Sequence, residues 1–163
     1  MNFHLARIGI ISFILFLAAC QSIGTPYVPP DETQDSALFV GGGSYINQFV
    51  YINQFDEEGC YSGRTIIRED IRVHAEKELF LAAEKLFRLS DWQMSCTVNF
   101  SLVPKKDEKY KVLSSRSGLL CSAGVVRIND DGSAIPVPVK GLTPSKKGLL
   151  ACIKMVPSKR TNK

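Results

Sequence analysis

The chain has 163 residues, 45% of them hydrophobic and 22% charged, with a formal net charge of +4. This composition excludes an extensively disordered chain, and the length suits one domain around a single core rather than two. Charge is uneven: residues 20–103 carry 6 basic and 12 acidic side chains (net −6), whereas residues 104–163 carry 13 and 4 (net +9). A basic C-terminal part is drawn to lipid headgroups or another protein's carboxylates within about one Debye length. It lacks the interleaved aromatic residues of a nucleic-acid surface, so nucleic acid is not an expected partner.

The chain opens with a short segment carrying His4 and Arg7, then an apolar run from Ile8 to Leu17, then Ala18, Ala19 and Cys20. The run is too short to span a bilayer and reads as a secretory signal over residues 1–19. Leu17-Ala18-Ala19-Cys20 resembles the lipobox of bacterial lipoproteins. The resemblance implies cleavage before Cys20, acylation of that cysteine by several chains, and permanent attachment to a membrane. Gln21, where an aspartate would imply retention in the inner membrane, implies the outer membrane, with the protein facing the periplasm.

Residues 20–36 hold Pro26, Pro29, Pro30, Asp31 and Glu32 without apolar periodicity and read as a flexible tether. A single domain over 37–157 follows, with a basic tail over 158–163. A short strand, Leu38 to Val40, is broken by Gly41-Gly42-Gly43, after which Tyr45-Ile46-Asn47-Gln48-Phe49 is echoed by Tyr51-Ile52-Asn53-Gln54-Phe55. The period of six is even, so strand geometry puts Tyr45, Phe49, Tyr51 and Phe55 on one face and Ile46, Val50 and Ile52 on the other. Two apolar faces indicate a strand buried between layers or a strand offering its aromatic face to a partner. Asp56 to Gly59 reads as a turn and Cys60 to Ile67 as a strand.

From Ile71 the pattern is ambiguous. Ile71, Val73 and Ala75 alternate with polar residues as a strand does, yet Ala75 to Leu89 is rich in helix formers, with Leu79, Ala83, Leu86 and Phe87 at helical spacing. Met94, Cys96, Val98, Phe100 and Leu102 then alternate cleanly up to Pro104. Lys105 to Glu108 forms a charged turn before Tyr110 and Val112. Leu119, Cys121, Ala123 and Val125 mark the next strand, Asn129 to Gly132 a turn, and Ile135 to Val139, with Pro136 and Pro138, an edge strand. A last strand is expected from Gly148 to Val156.

Beyond Cys20 there are four cysteines, Cys60, Cys96, Cys121 and Cys152, with no Cys-x-x-Cys among them. An even set in an oxidising compartment reads as two disulfides rather than a zinc or redox motif. Of the three pairings, Cys96 with Cys121 and Cys60 with Cys152 is preferred, and the sequence leaves the choice open. Loop-closure entropy then supplies about 3.5 and about 4.5 kcal/mol. Cys96, Phe100, Pro104, Tyr110 and Cys121 resemble a pattern in small bacterial lipoproteins, in which a cysteine strand, a Pro-containing turn and an aromatic strand precede a second cysteine. That resemblance implies a small sandwich with Cys96 and Cys121 bridged, and a hairpin over Ile71 to Ala83 turning at Glu76 to Glu78. The expected fold is an all-β, disulfide-stapled sandwich; the alternative is α+β, with a helix near 75–89 on an antiparallel sheet.

Chemistry-bearing residues are sparse. His74 is the one histidine beyond the signal segment, and no Gly-x-Ser-x-Gly or His-Glu-x-x-His motif occurs. Asp56, Glu57, Glu58, Asp130 and Asp131 lie in turns, and Asn129 to Gly132 lacks the further ligands of a calcium loop. No catalytic residue, metal or cofactor is therefore expected. Arg64, Arg68 and Arg72, four apart, form a basic stripe if their segment is regular. The expectation is a non-catalytic outer-membrane lipoprotein, structural or adaptor in an envelope assembly, meeting an envelope protein through Tyr45, Phe49, Tyr51 and Phe55. The alternative is a periplasmic ligand binder or lysozyme inhibitor, since Ser114-Ser115-Arg116-Ser117-Gly118 resembles the serine-rich loop of lysozyme-inhibitor lipoproteins.

Overall fold

The computed structural model describes residues 24–41, 47–89, 91–118, 120–147 and 152–158. The signal segment, Cys20, Tyr45, Ile46 and the basic tail from Lys159 onward lie outside the described residues. Among the described residues eleven strands follow one another: β1 (Ser36–Phe39), β2 (Gln48–Phe55), β3 (Tyr61–Ile66), β4 (Ile71–His74), β5 (Leu79–Leu89), β6 (Trp92–Leu102), β7 (Lys109–Ser117), β8 (Leu120–Ile128), β9 (Ala134–Val137), β10 (Lys140–Lys147) and β11 (Cys152–Pro157). They form a five-stranded sheet, β4-β1-β7-β8-β9, packed on a six-stranded sheet, β11-β10-β6-β5-β2-β3. The all-β, disulfide-stapled sandwich is the observed fold.

The helix alternative fails at β5. Leu79–Leu89 pairs without a break against Trp92–Leu102, from Leu79 opposite Leu102 to Leu89 opposite Trp92. Leu79, Leu81 and Ala83 point into the sandwich core, while Phe80 and Ala82 occupy the other face. A strand apolar on both faces gives a near-continuous apolar run that periodicity cannot tell from a helix, and pairing with β2 and β6 outweighs helix propensity. The expected hairpin over Ile71 to Ala83 does not form either. β4 pairs with β1 in the five-stranded sheet, whereas β5 lies in the six-stranded one, so the turn at Ala75 to Lys77 carries the chain between layers.

The core between the sheets joins Ala37, Phe39, Val73, Tyr110, Val112 and Val125 to Val50, Ile52, Leu79, Leu81, Ala83, Phe100 and Leu102. Phe39 stacks on Tyr110 at 5.4 Å between centroids. β9, with Pro136, takes the sheet edge expected of it. The sequence reading passes over β10, whose Gly141 and Pro144 argue against a strand. Its pairing with β6 covers Lys140 to Leu142 only, so Pro144 falls where no N–H is required on that side.

The six-stranded sheet does not lie flat. At a spacing of about 4.8 Å, six flat strands hold their edges about 24 Å apart. Yet β3 and β11, its two edge strands, are joined where they begin: Cys60 and Cys152 form a disulfide with Cα atoms 5.0 Å apart. Beside that bridge the Lys154 ammonium donates to the Glu58 carbonyl at 2.7 Å. The sheet is therefore curled until its edges meet. The five-stranded layer packs on the convex side, and Asn53, Ala82, Ser101 and Leu142, on the other face by register, are buried on the concave side. The second bridge, Cys96–Cys121, links β6 to β8 and so ties one sheet to the other.

The chain joins the fold before the expected boundary at residue 37. The Thr25 amide donates to the Ser62 carbonyl at 3.3 Å, the Tyr27 amide to the Thr65 hydroxyl at 2.8 Å, and the His74 amide to the Tyr27 hydroxyl at 3.2 Å. Gly24 and Gly63 make this possible, because a Cβ on Gly63 falls 2.9 Å from the Gly24 Cα. In place of a free tether, residues 24–27 shield the open edge of β3.

Loss of the edge-to-edge bridge in Cys60→Ser/Cys152→Ser is expected to lower unfolding free energy by about 4 kcal/mol. Hydrogen exchange should then rise first in β11 and β3; equal loss of protection in β5 and β6 contradicts a bridge that acts locally to close the curl.

Candidate functional site

The concave face of the curled sheet is where the echoed aromatic residues fall. Phe49, Tyr51 and Phe55 are half-buried, and their rings are engaged within the protein. Phe55 meets Phe80 edge-on at 4.8 Å and Tyr61 at 6.2 Å, and Phe49 lies 6.4 Å from Tyr51. The Arg64 guanidinium sits 4.2 Å over the Tyr51 ring and reaches Glu84 at 3.9 Å. Burial, and then the Glu84 carboxylate, push the Tyr51 hydroxyl above its ordinary pKa. Val50 and Ile52, one residue out of step, enter the sandwich core. The strand is thus buried on its Val50–Ile52 face and half-buried on its aromatic face.

The basic stripe of Arg64, Arg68 and Arg72 does not assemble. Arg64 belongs to β3 and Arg72 to β4, which lie in different sheets, and Arg72 is committed to Ser36, donating to its hydroxyl at 3.1 and 2.8 Å. His74 is half-buried against Tyr27, ring centroids 6.4 Å apart, a structural position at the edge of the five-stranded sheet. Ser114 to Ser117 belongs to β7 rather than to a loop, and the Ser115 and Ser122 hydroxyls pair across the β7–β8 hairpin at 2.7 Å.

The acidic turns bind their own backbone. Asp56 accepts from the amides of Glu58 and Cys60 at 3.0 and 2.8 Å, and Asp131 from that of Ser133 at 2.8 Å. Among the described residues no group of three or more His, Cys, Asp or Glu side chains is placed to hold a metal ion.

One polar cluster escaped the sequence reading, because its members are separated along the chain and alternate with solvent-facing residues. The buried Tyr110 donates its hydroxyl proton to Glu108, whose other oxygen accepts from Arg127 at 2.8 Å. The Lys105 amide donates to the Tyr110 hydroxyl at 3.0 Å. Glu108 and Arg127 also line an open cleft of ≈230 Å³ with Asp107, Lys109 and Asp130. Burial and the Glu108 carboxylate push Tyr110 up to about 12, while the hydrogen bond from Tyr110, aided by Arg127, holds Glu108 below the usual carboxylate range. These groups close one end of the core. They provide no arrangement of nucleophile and base.

No family model matches the chain, and no curated protein or solved structure matches it.

The Tyr110 cluster has a pH signature. Its neutral phenol is favoured in the fold, so that stability is complete below the ordinary tyrosine value near 10 and is lost as pH rises from about 10 to about 12. Tyr110→Phe should abolish this alkaline slope in urea melts from pH 9 to 12. At the acid end, Glu108→Gln should reduce the loss of stability as pH falls below the carboxylate range, since a lowered carboxyl pKa stabilises the fold only above it. Unchanged slopes in both variants contradict the cluster's role.

Proposed function

We propose that the chain is a non-catalytic lipoprotein of the outer membrane, anchored by acylated Cys20, that serves as a structural or adaptor component of an envelope assembly. The observation that carries this reading is the seating of residues 24–27 on β3. Three residues lie between Cys20 and Gly24, and the four steps from one to the other span at most about 14 Å. An acylated Cys20 therefore holds the curled end of the sandwich close to the bilayer and orients it, which suits a docking element better than a free-ranging catalyst. The two disulfides agree with an oxidising compartment, and neither needs a cofactor for its stapling role. The observed site chemistry is likewise structural: each ionisable cluster described above spends its hydrogen bonds on the fold.

Fractionation tests the anchor. The full chain should sediment with outer membranes and release only in detergent, with a mass increment on its N-terminal peptide; Cys20→Ser should be soluble and folded. A wild-type chain released by osmotic shock alone, without added acyl mass, overturns the reading.

A further inference from the structure

The concave face of the curled sheet is filled at one end and open at the other. Along β6 the residues on that face are Ser101, buried, then Asn99, half-buried, then Thr97, Ser95 and Gln93, all exposed. Along β5 the same gradient runs from buried Ala82 through half-buried Glu84 and Leu86 to exposed Arg88. Register pairs Ala82 with Asn99, Glu84 with Thr97, Leu86 with Ser95 and Arg88 with Gln93, and on the other side sets Tyr51 opposite Ala82 and Phe49 opposite Glu84. Residues directly opposite one another share a face, so these side chains form one surface, about 20 Å long from Ala82 to Arg88. Its open end holds a cleft of ≈380 Å³ whose lining includes Leu86, Arg88 and Gln93.

Charge on this surface is lopsided. The Arg64 guanidinium lies over Tyr51 with half of its side chain exposed. The Ile67 amide donates to the Val50 carbonyl at 2.8 Å, so the chain continues beside β2 past the end of β3. Ile67 enters the sandwich core, and Arg68, one residue on, therefore falls on the concave side next to Phe49. Its charge acts on the Tyr51 hydroxyl, against the upward push of burial and Glu84. Arg88 stands at the open end. Facing these three guanidinium groups is the Glu84 carboxylate, mostly covered and already met by Arg64 at 3.9 Å. Among the described residues no carboxylate pairs with Arg68 or Arg88.

The neutral polar groups beside the arginines are the hydroxyls of Ser95 and Thr97 and the amides of Gln93 and Asn99, which both donate and accept hydrogen bonds. They suit a ligand whose own polar groups do both, as sugar hydroxyls do. An acidic peptide is recognised instead through an unpaired sheet edge or an apolar groove, and β5, at the centre of this surface, is paired on both sides. Single-stranded nucleic acid needs successive stacking platforms, whereas Tyr51 is covered by Arg64 and leaves Phe49 as the ring beside the open end. Guanidinium groups meet carboxylates and phosphates through paired, planar hydrogen bonds.

We propose that the open end of the concave face binds an anionic oligosaccharide, with a sugar ring against Phe49, hydroxyls on Ser95, Thr97 and Gln93, and carboxylates or phosphates on Arg68 and Arg88. This site goes beyond the structural or adaptor role and does not depend on the lipid anchor. The surface is formed before the ligand arrives: Arg64, stacked on Tyr51 and paired with Glu84, holds its floor, and the Cys60–Cys152 bridge keeps the sheet curled. Binding therefore carries little ordering cost from the protein.

The test titrates the purified full chain in detergent by calorimetry. The probes are hexamers of galacturonate and of alternating glucuronate and N-acetylglucosamine, a phosphorylated mannopentaose, and neutral maltohexaose as control. At least one anionic probe should bind roughly tenfold or more tightly than maltohexaose, and whether it is a carboxylated or the phosphorylated one names the anionic group. Arg68→Ser and Arg88→Ser should each weaken that binding roughly tenfold, and Thr97→Val, which removes a hydroxyl and no charge, roughly threefold. Lys105→Ser, which removes a charge before β7 in the other sheet, should leave it unchanged. All four side chains are exposed, so folding should be retained, as circular dichroism checks. No binding by any anionic probe, equal binding of maltohexaose, equal or tighter binding of hexaglutamate or of a single-stranded DNA hexamer, or affinity indifferent to the arginine and threonine substitutions overturns the proposal. Release of the chain from membranes bears on the lipid anchor alone, because the titration needs no membrane.

Discussion

The meeting of β3 with β11 is the constraint on which the rest of the structure depends. Six strands cannot bring their edges within one disulfide unless the sheet curls, and once it curls β2 and β5 have two covered faces. β2 and β5 answer this with apolar residues on both sides: Val50, Ile52, Leu81 and Ala83 toward the five-stranded layer, and Phe49, Tyr51, Phe80 and Ala82 toward the concave side. Space on that side is limited. Alanine and serine sit beneath the aromatic rings, and the buried Ser101 hydroxyl is satisfied by Glu78 at 2.7 Å.

The two bridges act at opposite ends. Cys60–Cys152 closes the curl near the place where the N-terminal segment docks, and Cys96–Cys121 holds the layers together where the apolar core runs out. Between them the sandwich core and the Tyr110–Glu108–Arg127 cluster supply the stability of an ordinary small domain. Beyond the second bridge the packing gives way to exposed Trp92, Met94 and Leu120.

Much of the fold is legible in the sequence where one face of a strand is solvated. Cys96, Val98, Phe100 and Leu102 alternate with polar residues and form β6, and Pro136 marks β9 as an edge strand. Legibility fails where both faces are covered. At β5 the run Leu79-Phe80-Leu81-Ala82-Ala83 has lost its period of two, which is why helix formers compete for the same residues. It also fails where sheet membership decides the outcome: nothing local states that β4 and β5 part company, and that parting scatters Arg64 and Arg72 into separate layers. The cluster around Tyr110 is hidden for a related reason, since it joins Glu108 and Tyr110 to Arg127 on the facing strand.

The curled sheet depends on the cysteine pairing that closes it. Digestion of the mature, unreduced chain followed by mass spectrometry of its linked peptides tests this most directly. Linked peptides containing Cys60 with Cys152 and Cys96 with Cys121 are expected, with no other pairing. Cys60 found with Cys96 or with Cys121 contradicts it, because the edges of the six-stranded sheet are then not joined and the concave face and the docked N-terminal segment lose their common cause.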